Sequence, residues 1–251
     1  MLLRTLTQHV KDQNWFAVGL DFFIVVVGVF IGLQVQQWAN DQERQKREFT
    51  YLERLHEEVL RTGELREENV ARRVNTLMDL KTAHGPLFSE GDYEALEPST
   101  CLALALANVM TKVTADLPTV AELLSAGQLD TLGSAEVRSS VVRLIQVADR
   151  GSHALEGITQ GVTPLYKRYP DLIQLSGNVD SDSSDFDFYR PTCDVEAMRE
   201  NRSFLNDFID IHVRYGGYVA IIESESEELG RLHTTLDQAL GIEHPSGTEA
   251  P

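Results

Sequence analysis

The chain has 251 residues, a formal net charge of −17 at pH 7 and two cysteines. The acidic excess lies in residues 74–251, where 28 acidic side chains face 12 basic ones. Because such a surface repels phosphate groups and anionic lipid headgroups, we expect this region neither to bind nucleic acid nor to lie flat on a membrane.

The first element is an apolar segment, residues 16–33, which carries a single acid, Asp21. Trp15 and Trp38 flank it, and an α-helix would place them about 35 Å apart. That distance is close to the hydrocarbon thickness of a bilayer plus the interfacial belts in which indole rings settle. The pattern predicts a transmembrane anchor over residues 15–38, with the two tryptophans as interface anchors in the lipid bilayer.

A cleaved secretory signal and a buried core helix are the two alternatives to an anchor. Residues 34–41 lack the paired small residues that a signal peptidase needs. Residues 22–33 are apolar on all sides, which a helix at the surface of a globular domain would not tolerate. We therefore expect an uncleaved signal anchor that follows a short tail, residues 1–14.

The orientation of the anchor is only weakly indicated by charge. Two basic residues precede the apolar segment and three follow it closely, so the positive-inside rule gives a near tie. Because the N-terminal flank is short and the remainder is a large acidic domain, we predict a bacterial inner-membrane protein. Its N-terminal tail would be cytoplasmic and its C-terminal domain periplasmic.

Three residues of the anchor are candidates for contact with another membrane helix. Gly28 and Gly32 form a GxxxG face, along which a second helix can approach closely. Such pairs are also common in anchors that do not associate. Asp21 could meet a polar or cationic partner in another helix, or it could be a snorkelling or protonated carboxyl group.

Helical periodicity continues beyond the anchor. Residues 39–84 predict a stalk helix that is weakened at Gly63, because Gly is a poor helix former, and that ends at the Gly-Pro pair 85–86. Two short apolar helices are predicted at residues 99–112 and 118–126, the second with proline in its first turn.

Two long apolar seams with alternating steps of three and four residues then predict long helices that pack together. They cover residues 134–165 and 203–240. The seams would suit a coiled-coil dimer as well as a bundle, but Gly151 and Glu225 interrupt them and favour a bundle. We predict an all-α fold in which the anchor and stalk precede an antiparallel bundle over residues 85–241. No strand is expected.

The two cysteines, Cys101 and Cys193, do not form a CxxC motif, which argues against a zinc knuckle or a redox dithiol. A disulfide between them would close a loop of about 90 residues and stabilise the fold in an oxidising compartment. The alternative is two buried thiols that act as small apolar side chains.

Metal-binding patterns are weak in this sequence. An acidic segment could be a calcium loop, but it lacks the glycine and the closing glutamate of an EF-hand, so a solvated loop is favoured. His56 lies beside two glutamates on a surface helix, and His212 and His233 are expected at polar positions of the last helix. We predict no metal ligands and a disordered tail at residues 242–251. The acidic segment contains Asp180, Asp182, Asp185 and Asp187.

No catalytic motif is present: the chain has no GxSxG, HExxH or P-loop, and no cofactor is expected. Polar side chains near a predicted helix junction could nevertheless line a pocket for a small-molecule ligand. These candidates are Thr119, Glu122, Ser125 and Arg138.

Two segments resemble an uncharacterised family of bacterial single-pass membrane proteins with a domain of unknown function. Residues 27–41 read VGVFIGLQVQQWAND and are similar to the family's Gly-rich anchor, which ends in Leu-Gln and then Trp-Asn. Residues 117–129 read LPTVAELLSAGQL and are similar to its Pro-Thr, Glu-Leu, Ser-x-Gly-x-Leu segment. The chain departs from the family at Ala39 and at Asp21, where Glu is expected. The resemblance implies a membrane-anchored helical domain and supplies no catalytic residues.

These observations predict a non-enzymatic envelope protein that acts as an interaction or accessory subunit of a membrane complex. Its partner would be another membrane protein or a second copy of the chain. The alternative is a sensor-like bundle that binds a small ligand between its helices. With at most fourteen residues before the anchor, a sensor of this kind would have to signal through a partner. An unrecognised hydrolase is a third and weaker hypothesis.

Overall fold

A computed structural model describes residues 15–89, 91, 95–113, 115–176 and 190–243, without the side chains of residues 15–18 and 21. The predicted tail at residues 1–14, the acidic segment with its four aspartates and residues 244–251 lie outside this description. The chain divides into two compact units, Met1–Thr50 and Tyr51–Pro251.

The first helix, α1, spans Trp15–Thr82 without interruption, so the predicted continuous helix from the apolar segment into the stalk is confirmed. It ends before the expected Gly-Pro pair, which lies inside the next helix, α2, at His84–Phe88. Pro86 is the third residue of α2. Because the first backbone N–H groups of a helix have no intrahelical partner, a proline is tolerated there.

The first unit contains the apolar part of α1. This is the one helix of the described residues that is long and apolar enough to cross a membrane, with a mean hydropathy of 1.8 over its most apolar window. None of that window is buried inside the protein. The alternative of a buried core helix therefore does not describe this segment.

The second unit is built from helices and one small sheet. After α2 come α3 at Pro98–Leu106, α4 at Pro118–Ser125 and a 3₁₀ turn at Leu129–Thr131. The remaining elements are α5 at Ala135–Thr159, α6 at Leu165–Arg168, β1 at Ile173–Ser176, β2 at Arg190–Cys193, α7 at Val195–Glu200 and α8 at Arg202–Leu240.

The two long helices predicted from the seams, α5 and α8, pack against each other. Ser140 contacts Thr235 near the start of α5, and the carbonyl of Ile158 near its end accepts a hydrogen bond from Arg214. The order of these contacts shows that the helices are antiparallel. From Tyr51 onward α1 is also antiparallel to α8, since His56 bonds Asp237 and Arg66 bonds Ser226.

The helix ends follow local chemistry. Ser134 caps α5 by accepting a hydrogen bond from the Val137 amide, a role for which serine is well suited. The seam does not continue to Leu165, however, because α5 ends at Thr159 and Gly161 follows with φ of +75°. Leu165 instead opens the separate helix α6. At the far end of the chain, Gly241 closes α8 in the left-handed conformation.

The buried side chains form two apolar clusters. The large core gathers residues of α2, α3 and α7 around the first half of α8, including Phe204 and Phe208. The small core gathers α4 and the first half of α5 around the last part of α8, including Leu232 and Leu236. Both cores also receive side chains from α1, such as Leu55 in the small core. α1 and α8 thus connect the two cores.

The prediction that the chain has no strand is wrong for one short hairpin. β1 and β2 pair antiparallel, with Ile173 opposite Cys193 and Ser176 opposite Arg190. Strands of four residues are too short to show a clear alternation of apolar and polar side chains. The fold remains all-α in class, with a hairpin packed on its edge.

Candidate functional site

A polar layer separates the two cores at the contact between α1 and α8. Arg66 and Glu225 are both buried there, and Nη1 of Arg66 lies 3.2 Å from Oε2 of Glu225. The guanidinium group also donates to the carbonyls of Ile222, at 2.8 Å, and Val113, and to Oγ of Ser226 at 3.1 Å. Each of its three nitrogens is therefore bonded inside the protein.

Gly151 of α5 makes room for this layer. A Cβ atom at residue 151 would lie 2.7 Å from Oε1 of Glu225 and 2.9 Å from Cγ2 of Ile221. Burial raises the pKa of Glu225 and lowers that of Arg66, and the attraction between the two groups opposes both shifts. Gly151 and Glu225, the two residues that interrupt the predicted seams, thus belong to a single packing contact between α5 and α8.

Arg66 also lines a cleft of about 400 Å³ between α1 and residues 111–118. Three further basic side chains line it: Arg61, Arg73 and Lys112. Of the two acids in its wall, Glu58 is hydrogen-bonded to Thr119. The cleft is therefore locally basic in a strongly acidic protein.

A second cavity of about 380 Å³ shares Asn69 and Arg73 with this cleft. Thr76 and Tyr215 line it as well, and burial raises the pKa of Tyr215. The neighbouring Tyr218 donates a hydrogen bond of 2.7 Å to the carbonyl of Thr111 at the cleft. The two cavities offer cationic, amide and hydroxyl groups, which suit a small anionic ligand.

A second polar cluster of α1 and α8 contains His56, His233 and Asp237. Nε2 of His56 lies 2.9 Å from Oδ1 of Asp237, and Nε2 of His233 lies 3.5 Å from the same oxygen. The two imidazole rings are 5.2 Å apart. The three side chains are 12 to 15% exposed, so the expectation that His56 belongs to a surface charge cluster is wrong.

A further histidine pair lies against the large core. Nε2 of His84 is 2.7 Å from Nδ1 of His212, and both rings pack near Phe208. The pKa of His212 is lowered, first by burial and then by the charges of His84 and Lys81. This pair joins α2 to α8.

The four predicted ligand-pocket residues do not meet in a cavity. Thr119 is fully buried, and its amide and hydroxyl both donate to the carboxylate of Glu58, at 2.9 and 2.7 Å. Glu122 is exposed and accepts hydrogen bonds from Arg54 at 2.8 Å and Tyr51 at 3.0 Å. These bonds, first that from Arg54, lower the pKa of Glu122.

The other two candidates are also bonded within their own turns. Ser125 donates to the carbonyl of Glu122, and Arg138 donates to the carbonyls of Leu132 and Gly133. Polar side chains near a helix junction can dock and cap helices as well as bind ligands, and these four make such docking and capping bonds here; a ligand pocket at them stays a prediction. The basic cleft lies beside them but is lined by other residues.

The structure describes the side chains of only some of the residues that are predicted to contact lipid or another membrane helix. Trp38 is exposed, and a Cβ atom at Gly28 or Gly32 would have no neighbour within 4 Å. The side chains of Trp15 and Asp21 lie outside the described residues. Whether this face meets another helix stays a prediction.

The two cysteines are joined. Cys101 of α3 and Cys193 of β2 form a disulfide across 92 residues of sequence, with their Cα atoms 5.9 Å apart. The bond attaches the hairpin to the large core. The alternative of two unpaired buried thiols does not describe the structure.

Sequence reasoning missed both the basic cleft and the histidine cluster. One local signal was available, because His233 and Asp237 are four residues apart and share a helix face. His56 lies 181 residues from Asp237, and no spacing rule connects them. The cleft likewise combines α1 with a loop about forty residues further on.

No family model, curated protein or solved structure matches this chain. The resemblance to a family of single-pass membrane proteins therefore stays a prediction.

Proposed function

We propose that this chain is a membrane-anchored helical envelope protein that acts by binding, as an interaction or accessory subunit of a membrane complex. The anchor would hold it in the bacterial inner membrane, with the N-terminal tail in the cytoplasm and the second unit in the periplasm. The partner would be another membrane protein or a second copy of the chain.

The observation that carries this proposal is the apolar part of α1. Its most apolar window is not covered by any part of the protein, and Gly28 and Gly32 leave one face open. A helix can approach such a face closely. The disulfide between Cys101 and Cys193 supports a periplasmic location for the second unit, because such bonds persist in oxidising compartments.

Purification of the native protein in a mild detergent tests the proposal, with its mass in solution measured and its bound proteins identified. Gly28→Leu and Gly32→Leu together should abolish the association, since they fill the open face. Val26→Leu is the matched control, because residue 26 lies on the opposite side of the helix. A monomer without partners would contradict the proposal.

The basic cleft favours a second candidate, a sensor-like bundle that binds a small anion and signals through a partner. Arg61, Arg73 and Lys112 would attract carboxylate or phosphate groups, and the acidic exterior would discourage large polyanions. The ligand class would be a small di- or tricarboxylate or a phosphate.

Thermal unfolding with citrate or inorganic phosphate tests this second candidate. Either anion should raise the melting temperature, and the increase should grow with the logarithm of its affinity for the native state. Arg61→Gln and Lys112→Gln should remove the increase, while Arg143→Gln, an exposed control on α5, should retain it. An equal increase in all variants would show general ionic effects and exclude the cleft.

A further inference from the structure

The histidine cluster brings three potential metal ligands close together. His56, His233 and Asp237 each offer one ligand atom, and these atoms lie within 4.8 Å of one another. Tetrahedral zinc with ligand bonds of 2.0 to 2.1 Å places its ligand atoms about 3.3 Å apart. The two distances to the Asp237 oxygen, 2.9 and 3.5 Å, lie on either side of that value.

The helices hold the three side chains in place. His233 and Asp237 are one turn apart on α8, so they point to the same side. His56 faces them from α1. Its neighbour Leu55 is fully buried in the small core, as are Leu232 and Leu236 beside the two α8 residues. An ion would therefore meet a site whose backbone is already fixed by packing.

The site is also accessible. A cavity of about 420 Å³ between α1 and α8 has His233 in its wall, together with Gly63 and Gly230. The ligand side chains are mostly withdrawn from solvent, which strengthens their attraction for a cation. The cavity provides both a route for the ion and space for an additional ligand.

We propose that His56, His233 and Asp237 bind a divalent transition-metal ion, with zinc as the best match. Two imidazole nitrogens and one carboxylate oxygen suit Zn²⁺, Co²⁺ or Ni²⁺, whereas Ca²⁺ and Mg²⁺ prefer sets of oxygen ligands. Three protein ligands leave one position of a tetrahedron for water or for a group from a partner. Bound metal would join α1 to α8 at the small core.

Zinc titration of the full-length protein in detergent, after treatment with a chelator, tests this proposal. We expect saturable one-to-one binding by calorimetry and a higher melting temperature with zinc. Cobalt should bind in its place and give the visible absorption bands of a four-coordinate site. Failure of the native protein to bind one equivalent of zinc would overturn the proposal.

The variants are His56→Ala, His233→Ala and Asp237→Asn. Each should weaken zinc binding by more than the roughly 10- to 100-fold that loss of an outer-shell partner costs. His153→Ala is the matched control, because His153 is exposed beside two acids on α5 and tests adventitious surface binding. Asp237→Asn keeps the side-chain shape, and circular dichroism without metal identifies any variant that fails to fold. Unchanged zinc affinity in the folded ligand variants would show that the three residues form only a hydrogen-bonded contact.

Discussion

The contact between α1 and α8 contains two polar clusters that differ in the chemical groups they bring together. In the layer at Arg66 and Glu225, opposite charges meet, and two carbonyl oxygens and one hydroxyl oxygen accept further hydrogen bonds from the guanidinium. In the cluster at His56, His233 and Asp237, three groups that can all act as electron-pair donors face one another. The first arrangement is complete within the protein, whereas the second can accept a cation.

This difference separates a structural role from a binding role. A buried ion pair that is hydrogen-bonded within the protein fixes the register of two helices, even where one of its groups borders a cleft, as Arg66 does. A partly exposed set of nitrogen and oxygen atoms next to a cavity can bind an ion. Burial and polarity alone would not distinguish the two clusters, because both lie between the same helices. The two clusters are distinguished by the chemical groups that their side chains meet.

The largest expected effect comes from breaking the first cluster. Arg66→Met would leave Glu225 as an unpaired buried charge, which costs about 3–5 kcal/mol of the free energy of unfolding. Urea unfolding monitored by circular dichroism measures this loss. Arg72→Met is the matched control on an exposed face of α1 and should change stability by less than about 1 kcal/mol. Equal stability of the two variants would show that the Arg66–Glu225 layer does not support the fold.

A smaller effect is expected at Gly151, whose missing side chain makes room for the same layer. Gly151→Ala places a methyl group against Glu225 and Ile221, and such overpacking costs about 1–3 kcal/mol. Gly157→Ala on the same helix meets no atom within 4 Å and should gain up to about 1 kcal/mol from helix propensity. Urea unfolding should therefore give changes of opposite sign for these two alanines. An increase in stability for both variants would mean that the Arg66–Glu225 layer can move to admit a methyl group at residue 151 without a measurable cost.

The smallest effect concerns a third polar contact of α8, the His84–His212 pair. Because the pKa of folded His212 lies below its unfolded value of 6.5, the unfolded chain takes up a proton more readily. The contribution of His212 to stability is therefore complete above pH 6.5 and is lost as the pH falls through the lower folded pKa. His212→Gln should flatten the decline in melting temperature between pH 7.5 and 5.5.

Exposed His153 provides the control for this pH dependence. His153→Gln should change the melting temperature little at any given pH, since its side chain is 74% exposed and its removal costs little packing. If His212→Gln shows the native slope, the acid sensitivity of the fold arises from other groups.

The sequence by itself determined the long apolar N-terminal helix and the two long helices, α5 and α8, that pack together. These features depend on apolar runs and on spacings of three and four residues, which are local properties of the chain. Even the interruptions at Gly151 and Glu225 were visible as departures from the seams. The contact between these two residues was not visible in the sequence, because Gly151 accommodates Glu225 only when α5 and α8 pack together.

Tertiary structure alone decided the polar clusters, the basic cleft and the hairpin. His56 meets Asp237 across 181 residues, and Arg66 meets Glu225 across 159. Thr119 and Glu122 had the residue types of a pocket, but packing gave them helix-docking partners from α1 instead. Contacts between distant residues are set by how helix faces pack as a whole, so no local spacing encodes them. The sites proposed here for a metal ion and for a small anion both consist of such contacts between distant residues.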